Sequence, residues 1–182
     1  MLRRMLALLA AVVLAFPLLA ADTKFALDGD NTKVEFVGTK SKPDGRHVGG
    51  FKKLTGTATV SENDLATLKL EVEIDMASTY TDTPMLTNHL KSPDFFNVKT
   101  NPKSKFVSTK VEKTNDGYNV TGDLTLNGKT RSITFPAKMV LADNTLTLTS
   151  EFKIKRQDFG ITYGQGKVDS DVTLKVAVKA KK

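Results

Sequence analysis

Leu68–Asp75 reads LKLEVEID. Leu68, Leu70, Val72 and Ile74 take alternate positions, and Lys69, Glu71, Glu73 and Asp75 take the others. Successive side chains of an extended chain point to opposite faces, so this spacing makes a strand with one apolar and one wet face. The pattern recurs. In Arg131–Leu141 the alternating set is Ile133, Phe135, Ala137, Met139 and Leu141. In Thr145–Ile154 it is Leu146, Leu148, Ser150, Phe152 and Ile154, and in Asp171–Lys181 it is Val172, Leu174, Val176, Val178 and Ala180. Strands wet on one side belong to antiparallel sheets, not to parallel sheets covered on both faces.

Turn chemistry separates the runs. Asn115-Asp116-Gly117 divides Lys105–Lys113 from Tyr118–Leu126. Asn127-Gly128 suits a two-residue hairpin, since both positions favour left-handed backbone, and Asp143-Asn144 closes the next pair. Earlier strands are Lys33–Thr39, a long run over Val48–Val60, and Ala66–Asp75. In that long run Phe51 and Leu54 have opposite parity, so either one faces out or a bulge lies between them. The expectation is an all-β, antiparallel, up-and-down fold of about eight strands, with a shorter extended piece near Phe25.

Such strands form either a sandwich or a closed barrel. A barrel of eight is filled by side chains or holds one small ligand. Gly38, Gly122, Ala137 and Ser150 fall on apolar faces. They either leave a hollow or taper a packed interior. An outer-membrane barrel would turn its apolar face outward between aromatic girdles. Three Tyr, no Trp and a Lys-rich C-terminus oppose that arrangement.

One segment breaks the strand pattern. Thr87–Phe106 reads TNHLKSPDFFNVKTNPKSKF. Just before it, Thr83 is a helix cap with Pro84 at the first helical position, and the helix should run to about Lys91. Ser92-Pro93-Asp94 repeats that start signal, which places Phe95 and Phe96 in a second short helical turn. Leu86, Leu90, Phe95 and Phe96 suit this helical insertion to cap an open barrel end.

The ends and the charge bound the setting. Arg3 and Arg4, the apolar run Leu6–Leu19 and the small Ala20 and Ala21 read as a signal peptide over residues 1–21. The expectation is a periplasmic or secreted protein in which residues 22–182 form one domain. The 182-residue chain has no cysteine, which excludes disulfides, thiol chemistry and Cys-zinc sites. Removing Arg3 and Arg4 takes the formal charge from +7 to +5. A mild basic excess serves solubility and allows transient contact with an anionic membrane surface. The lysines are scattered along strands without a recognition motif, so no nucleic acid is expected. No nucleophile elbow, phosphate loop or dinucleotide motif is present, so no catalytic residues are assigned.

The block HLKSPDFFNVKTNPKSKF, His89–Phe106, resembles the central signature of the YceI-like family. Phe25–Lys40 (FALDGDNTKVEFVGTK) resembles its opening strand pair, and Arg46–Val60 (RHVGGFKKLTGTATV) its Gly-Phe segment. Val120–Pro136 resembles its glycine hairpin, and Lys153–Ile161 with Lys167–Val176 its Arg-x-x-Phe-Gly segment and last strand. The likeness spans essentially the whole chain after the leader. One departure is Gly38-Thr39-Lys40, where the family more often ends a strand in His. The resemblance implies a lipocalin-like barrel that binds an isoprenoid chain, a polyprenyl or quinone tail, without catalysis. It implies no cofactor beyond that lipid. A homodimer is one assembly open to it.

An apolar tail needs a long apolar tube, because its binding scales with buried area at roughly 25 cal/mol per Å². Lining candidates are Phe36, Leu70, Val72, Ile74, Leu124, Leu126, Ile133, Phe135, Met139, Leu148, Phe152, Val172, Leu174 and Val176. His47 and His89, the only histidines, and Arg156 are candidates for a mouth or headgroup role. No His-x-x-x-His spacing exists, so no metal site is assigned. By the resemblance His89 is a structural anchor bonded to backbone. Arg156 either clamps a phosphate or pairs with Asp94 or Asp171 to pin a loop. The rival readings are an enzyme on a small secreted substrate and a ligandless barrel for protein contact or stress protection.

Overall fold

The computed structural model describes residues 22–40 and 45–182. The expected signal peptide lies outside the described residues. Among the described residues, eleven strands form one antiparallel sheet. They are β1 (Asp22–Asp28), β2 (Thr32–Gly38), β3 (His47–Phe51), β4 (Leu54–Ser61), β5 (Lys69–Asp75) and β6 (Thr79–Thr81). Helix α1 (Pro84–Lys91) follows, then β7 (Lys103–Thr114), β8 (Gly117–Leu126), β9 (Lys129–Ala142), β10 (Thr145–Lys155) and β11 (Asp171–Lys181). The hydrogen-bonded order is β1-β4-β5-β7-β8-β9-β10-β11-β2-β3-β6. The sheet curls until β1 lies beside β11, giving an all-β lipocalin-like barrel whose order does not close by pairing β1 with β6.

The strand count corrects the expected eight, for three local reasons. The extended piece near Phe25 is a full strand, β1, paired with β4 from Asp22↔Ser61 to Asp28↔Thr55. The long run breaks at Lys52-Lys53 into β3 and β4. That break resolves the parity conflict, because Leu54 is buried in the core and Phe51 packs against the aromatic cap. The third addition is β6, a short strand that pairs with β3 just before the helix. From β7 to β11 the order is the expected up-and-down meander, whereas β1, β4 and β2 enter out of sequence.

The turns carry the predicted chemistry. Asn127 and Gly128 have φ of 50° and 71°, and Asp143 and Asn144 have φ of 49° and 56°. These left-handed pairs match the right-handed twist of the strands they join. The chain also forms α1 as expected. The Thr83 side chain accepts a hydrogen bond from the Leu86 amide at 3.3 Å, and Pro84 occupies the first turn. The expected second helical turn is instead a series of tight turns. In them the Phe96 amide donates to the Leu90 carbonyl and the Asn97 amide to the Ser92 carbonyl.

The interior is packed at one end. Ala58, Val60, Val120, Ala137, Leu146 and Ala180 are almost wholly buried together with Phe25. Small side chains from facing strands fill the space there, so Ala137 belongs to the tapered, packed part. A second cluster of Met76, Leu126, Ile154, Phe159 and Ile161 lies at the α1 end with Phe95 and Phe96 against it.

Candidate functional site

An internal cavity of about 230 Å³ takes its walls from both clusters. Of the lining residues expected from sequence, Phe36, Leu70, Val72, Ile74, Leu124, Leu126, Ile133, Phe135, Leu148, Phe152, Val172, Leu174 and Val176 lie on its wall. Met139 does not. It pairs with Leu148 across β9 and β10 and is buried in the larger core cluster, off the cavity wall. Sequence reasoning missed Leu27, Val34, Phe51, Phe106, Ile154 and Val178 as wall residues. Val34, Ile154 and Val178 share the alternating parity of assigned neighbours on their strands, which was the available signal.

Two glycines keep the barrel hollow. Gly49 lies opposite Phe36 on the neighbouring strand. A Cβ on Gly49 would sit 2.4 Å from the tip of the Phe36 ring, so that ring lies down across the glycine. Phe106 does the same at Gly122, where a Cβ would sit 2.5 Å from its ring tip. A ring lying on a strand takes less of the lumen than one standing across it. Phe135 and Phe152 stack almost parallel, at 4.4 Å between centroids, on the wall between β9 and β10.

The hydroxyl groups on the wall are satisfied within the protein. The buried Ser104 hydroxyl donates to the Thr125 carbonyl at 2.7 Å, and Thr32 donates to the Asn31 side chain at 2.8 Å. The Thr39 hydroxyl donates to the Asp169 carboxylate. The remaining surface is apolar. Such a wall holds a hydrocarbon chain and offers little to orient a polar molecule by hydrogen bonding.

The mouth lies where Gly38, Thr39, Lys40 and His47 face Leu86, Leu90, Phe95 and Phe96. Phe36, Phe51 and Phe96 meet there, with centroids 5.8 to 6.2 Å apart. The aromatic pair of the insertion therefore caps the hollow, as expected. His47 is on the wall, and its buried Nδ1 has no hydrogen bond. Asp82 Oδ2 is 3.5 Å away, too far for one.

His89 is placed differently from expectation. It does not line the cavity, and its ring nitrogen meets a carboxylate instead of backbone: Nε2 is 2.9 Å from Asp94 Oδ2. Its ring meets Phe95 and Tyr163 edge to face at 5.0 and 4.8 Å. Arg156 is 4% exposed and reaches the cavity wall, yet it forms no ion pair with Asp94 or Asp171 among the described contacts. Its guanidinium donates to the carbonyls of Asp169, Ile161, Tyr163 and Val168 at 2.8 to 2.9 Å. Burial lowers its pKa, partly opposed by the charge of Asp169. Arg156 thus pins the loop between β10 and β11 through its backbone, with four of its five N–H groups committed. Among the described residues, no group of three or more His, Asp or Glu is placed to hold a metal.

The curled antiparallel barrel, its apolar hollow and its aromatic cap define a lipocalin-like class of small barrel with an apolar interior. Residues 25–180 match the YceI-like domain model, and the chain belongs to the YceI family. It is 37% identical over 169 residues to a UPF0312 protein of Serratia proteamaculans, covering 88% of this chain and 86% of the relative. It is 36% identical to protein YceI of Escherichia coli, covering 72% of each. Its fold is similar to the crystal structure of Burkholderia cenocepacia BcnA, with a TM-score of 0.75, 28% identity, and coverage of 82% and 96%. It is also similar in fold to a polyisoprenoid binding domain of Saccharophagus degradans, with a TM-score of 0.66, 14% identity, and coverage of 87% and 97%.

Proposed function

We propose that this protein is a non-catalytic carrier that holds an isoprenoid-type lipid, a polyprenyl or quinone tail, in its barrel for transport or storage. The observation that carries the reading is the hollow itself: an apolar wall whose hydroxyl groups are already bonded within the protein. A branched hydrocarbon gains by leaving water for such a wall in proportion to the area it buries. Membership of the family supports the reading, as does the shared fold with a domain described as polyisoprenoid-binding. The leader-like segment supports a periplasmic or secreted setting for this work, where loading would bring the protein briefly to a membrane surface.

The test is native mass spectrometry of protein purified from its own cells, followed by lipid extraction. A bound prenyl lipid is the expected result. Repeated recovery of ligand-free, folded protein that takes up no prenyl lipid would overturn the proposal.

A further inference from the structure

Only a few large apolar side chains stand out from the described surface, and two of them sit beside residues of the cavity wall: Met85 precedes Leu86 on α1, and Tyr163 packs on Phe95. Met85 is 83% exposed, and Tyr163 is 46% exposed. Val140, at 56%, lies away from the mouth on β9. Met85 and His89 are four residues apart on α1, which puts them on one face of the helix. His89 meets the Tyr163 ring, and Tyr163 meets Phe95 at 5.3 Å. Met85, His89, Tyr163 and Phe95 therefore form one strip along the rim. Leu86 and Leu90 of the same helix face the cavity.

Charge distinguishes the partner. The rim segments carry Lys40, Arg46, Lys91, Lys99 and Lys167 against Asp82, Asp94 and Asp169. Each of these three carboxylates faces a group of the rim: His47, His89 and the Thr39 hydroxyl, respectively. The rim thus combines net positive charge, an outward methionine and a half-exposed tyrosine. Interfacial attachment to anionic lipid uses this combination, with apolar side chains entering the headgroup boundary and cations meeting the phosphates.

We infer that the strip of Met85, His89, Phe95 and Tyr163, with the lysines around it, is a docking face for an anionic phospholipid bilayer. It seats the cavity mouth against the membrane. The inference rests on the carrier reading, since it says where a lipid tail passes between bilayer and barrel.

The chain from Asp22 onward contains every described strand and avoids the apolar leader. This protein should sediment with phosphatidylglycerol vesicles, and less with phosphatidylcholine vesicles or at high salt. Met85→Glu should weaken sedimentation about tenfold, with Met85→Leu and Val140→Glu close to the parent. Uptake of a prenyl alcohol from detergent, measured in parallel, should be unchanged in Met85→Glu. Absent vesicle binding, or equal binding by Met85→Glu and the parent, overturns the docking face. So does a dimeric parent that Met85→Glu converts to a monomer, because the strip is then a contact between two copies. Vesicle binding without prenyl uptake by any variant instead overturns the carrier reading.

Discussion

Phe36 rests on Gly49, its antiparallel partner on the next strand, so closely that a methyl group there would sit 2.4 Å from the ring tip and 2.6 Å from the Tyr80 carbonyl oxygen. Neither neighbour is free to give way cheaply: one is a ring in the aromatic cap and the other is backbone of β6. Gly49→Ala should therefore lift Phe36 into the hollow and strain the β3–β6 pairing. The expected cost is about 1–3 kcal/mol of stability, read by urea denaturation. Prenyl-lipid uptake should fall with it.

Gly38 presents the opposite case. It lies on the cavity wall near the mouth, and a Cβ there would meet nothing within 4 Å. Gly38→Leu should fold normally, with stability within about 0.5 kcal/mol of the parent. Its side chain would occupy the entrance. Uptake of a prenyl lipid should drop by roughly tenfold or more, an affinity loss of about 1.4 kcal/mol. Normal uptake by this variant would show that ligand does not use this opening.

Arg156 holds four carbonyls from one buried position. Replacing it by Met leaves those oxygens without their donor, and the loss should reach about 2–4 kcal/mol. The segment from Ile161 to Asp169 should become the first site of limited proteolysis. Arg156→Lys should recover only part of the stability, because an ammonium has three donors and lacks the planar fork. Full recovery by Lys would show that charge, not the pattern of donors, is what matters.

Tyr80 gives the fold an alkaline limit. Burial, with the charge of Glu35 added, raises its pKa above the ordinary 10.0. The folded protein therefore keeps this proton over a range in which the unfolded chain has lost it. The stability tied to Tyr80 is complete below pH 10.0 and is lost as pH rises through the raised value. Tyr80→Phe should show a shallower decline in unfolding free energy above that pH. Lys105, also raised through its bond to Glu71, is present in both proteins and cancels in the comparison.

Much of the barrel was legible in the sequence because strand faces and tight turns are local properties. Alternation in Leu68–Asp75 assigned Leu70, Val72 and Ile74 to the wall without any knowledge of their neighbours. Thr83-Pro84 announced α1, and Asn127-Gly128 announced its hairpin, since each depends on the backbone preference of one or two residues. Parity could not separate Met139 from Leu148. Both alternate correctly and they pair with each other, yet only Leu148 reaches the hollow.

Periodicity and turn chemistry thus determined an antiparallel all-β protein with an apolar interior and a helical, aromatic insertion. Tertiary structure alone decided that β1 lies beside β4, that the long strand breaks at Lys52-Lys53, and that His89 meets Asp94. It also decided that Arg156 binds four carbonyls of the loop that follows it. The reason is range: a residue's own sequence neighbours set the face it presents. What that face meets depends on how far the sheet curls and on which strands, remote in sequence, arrive opposite it.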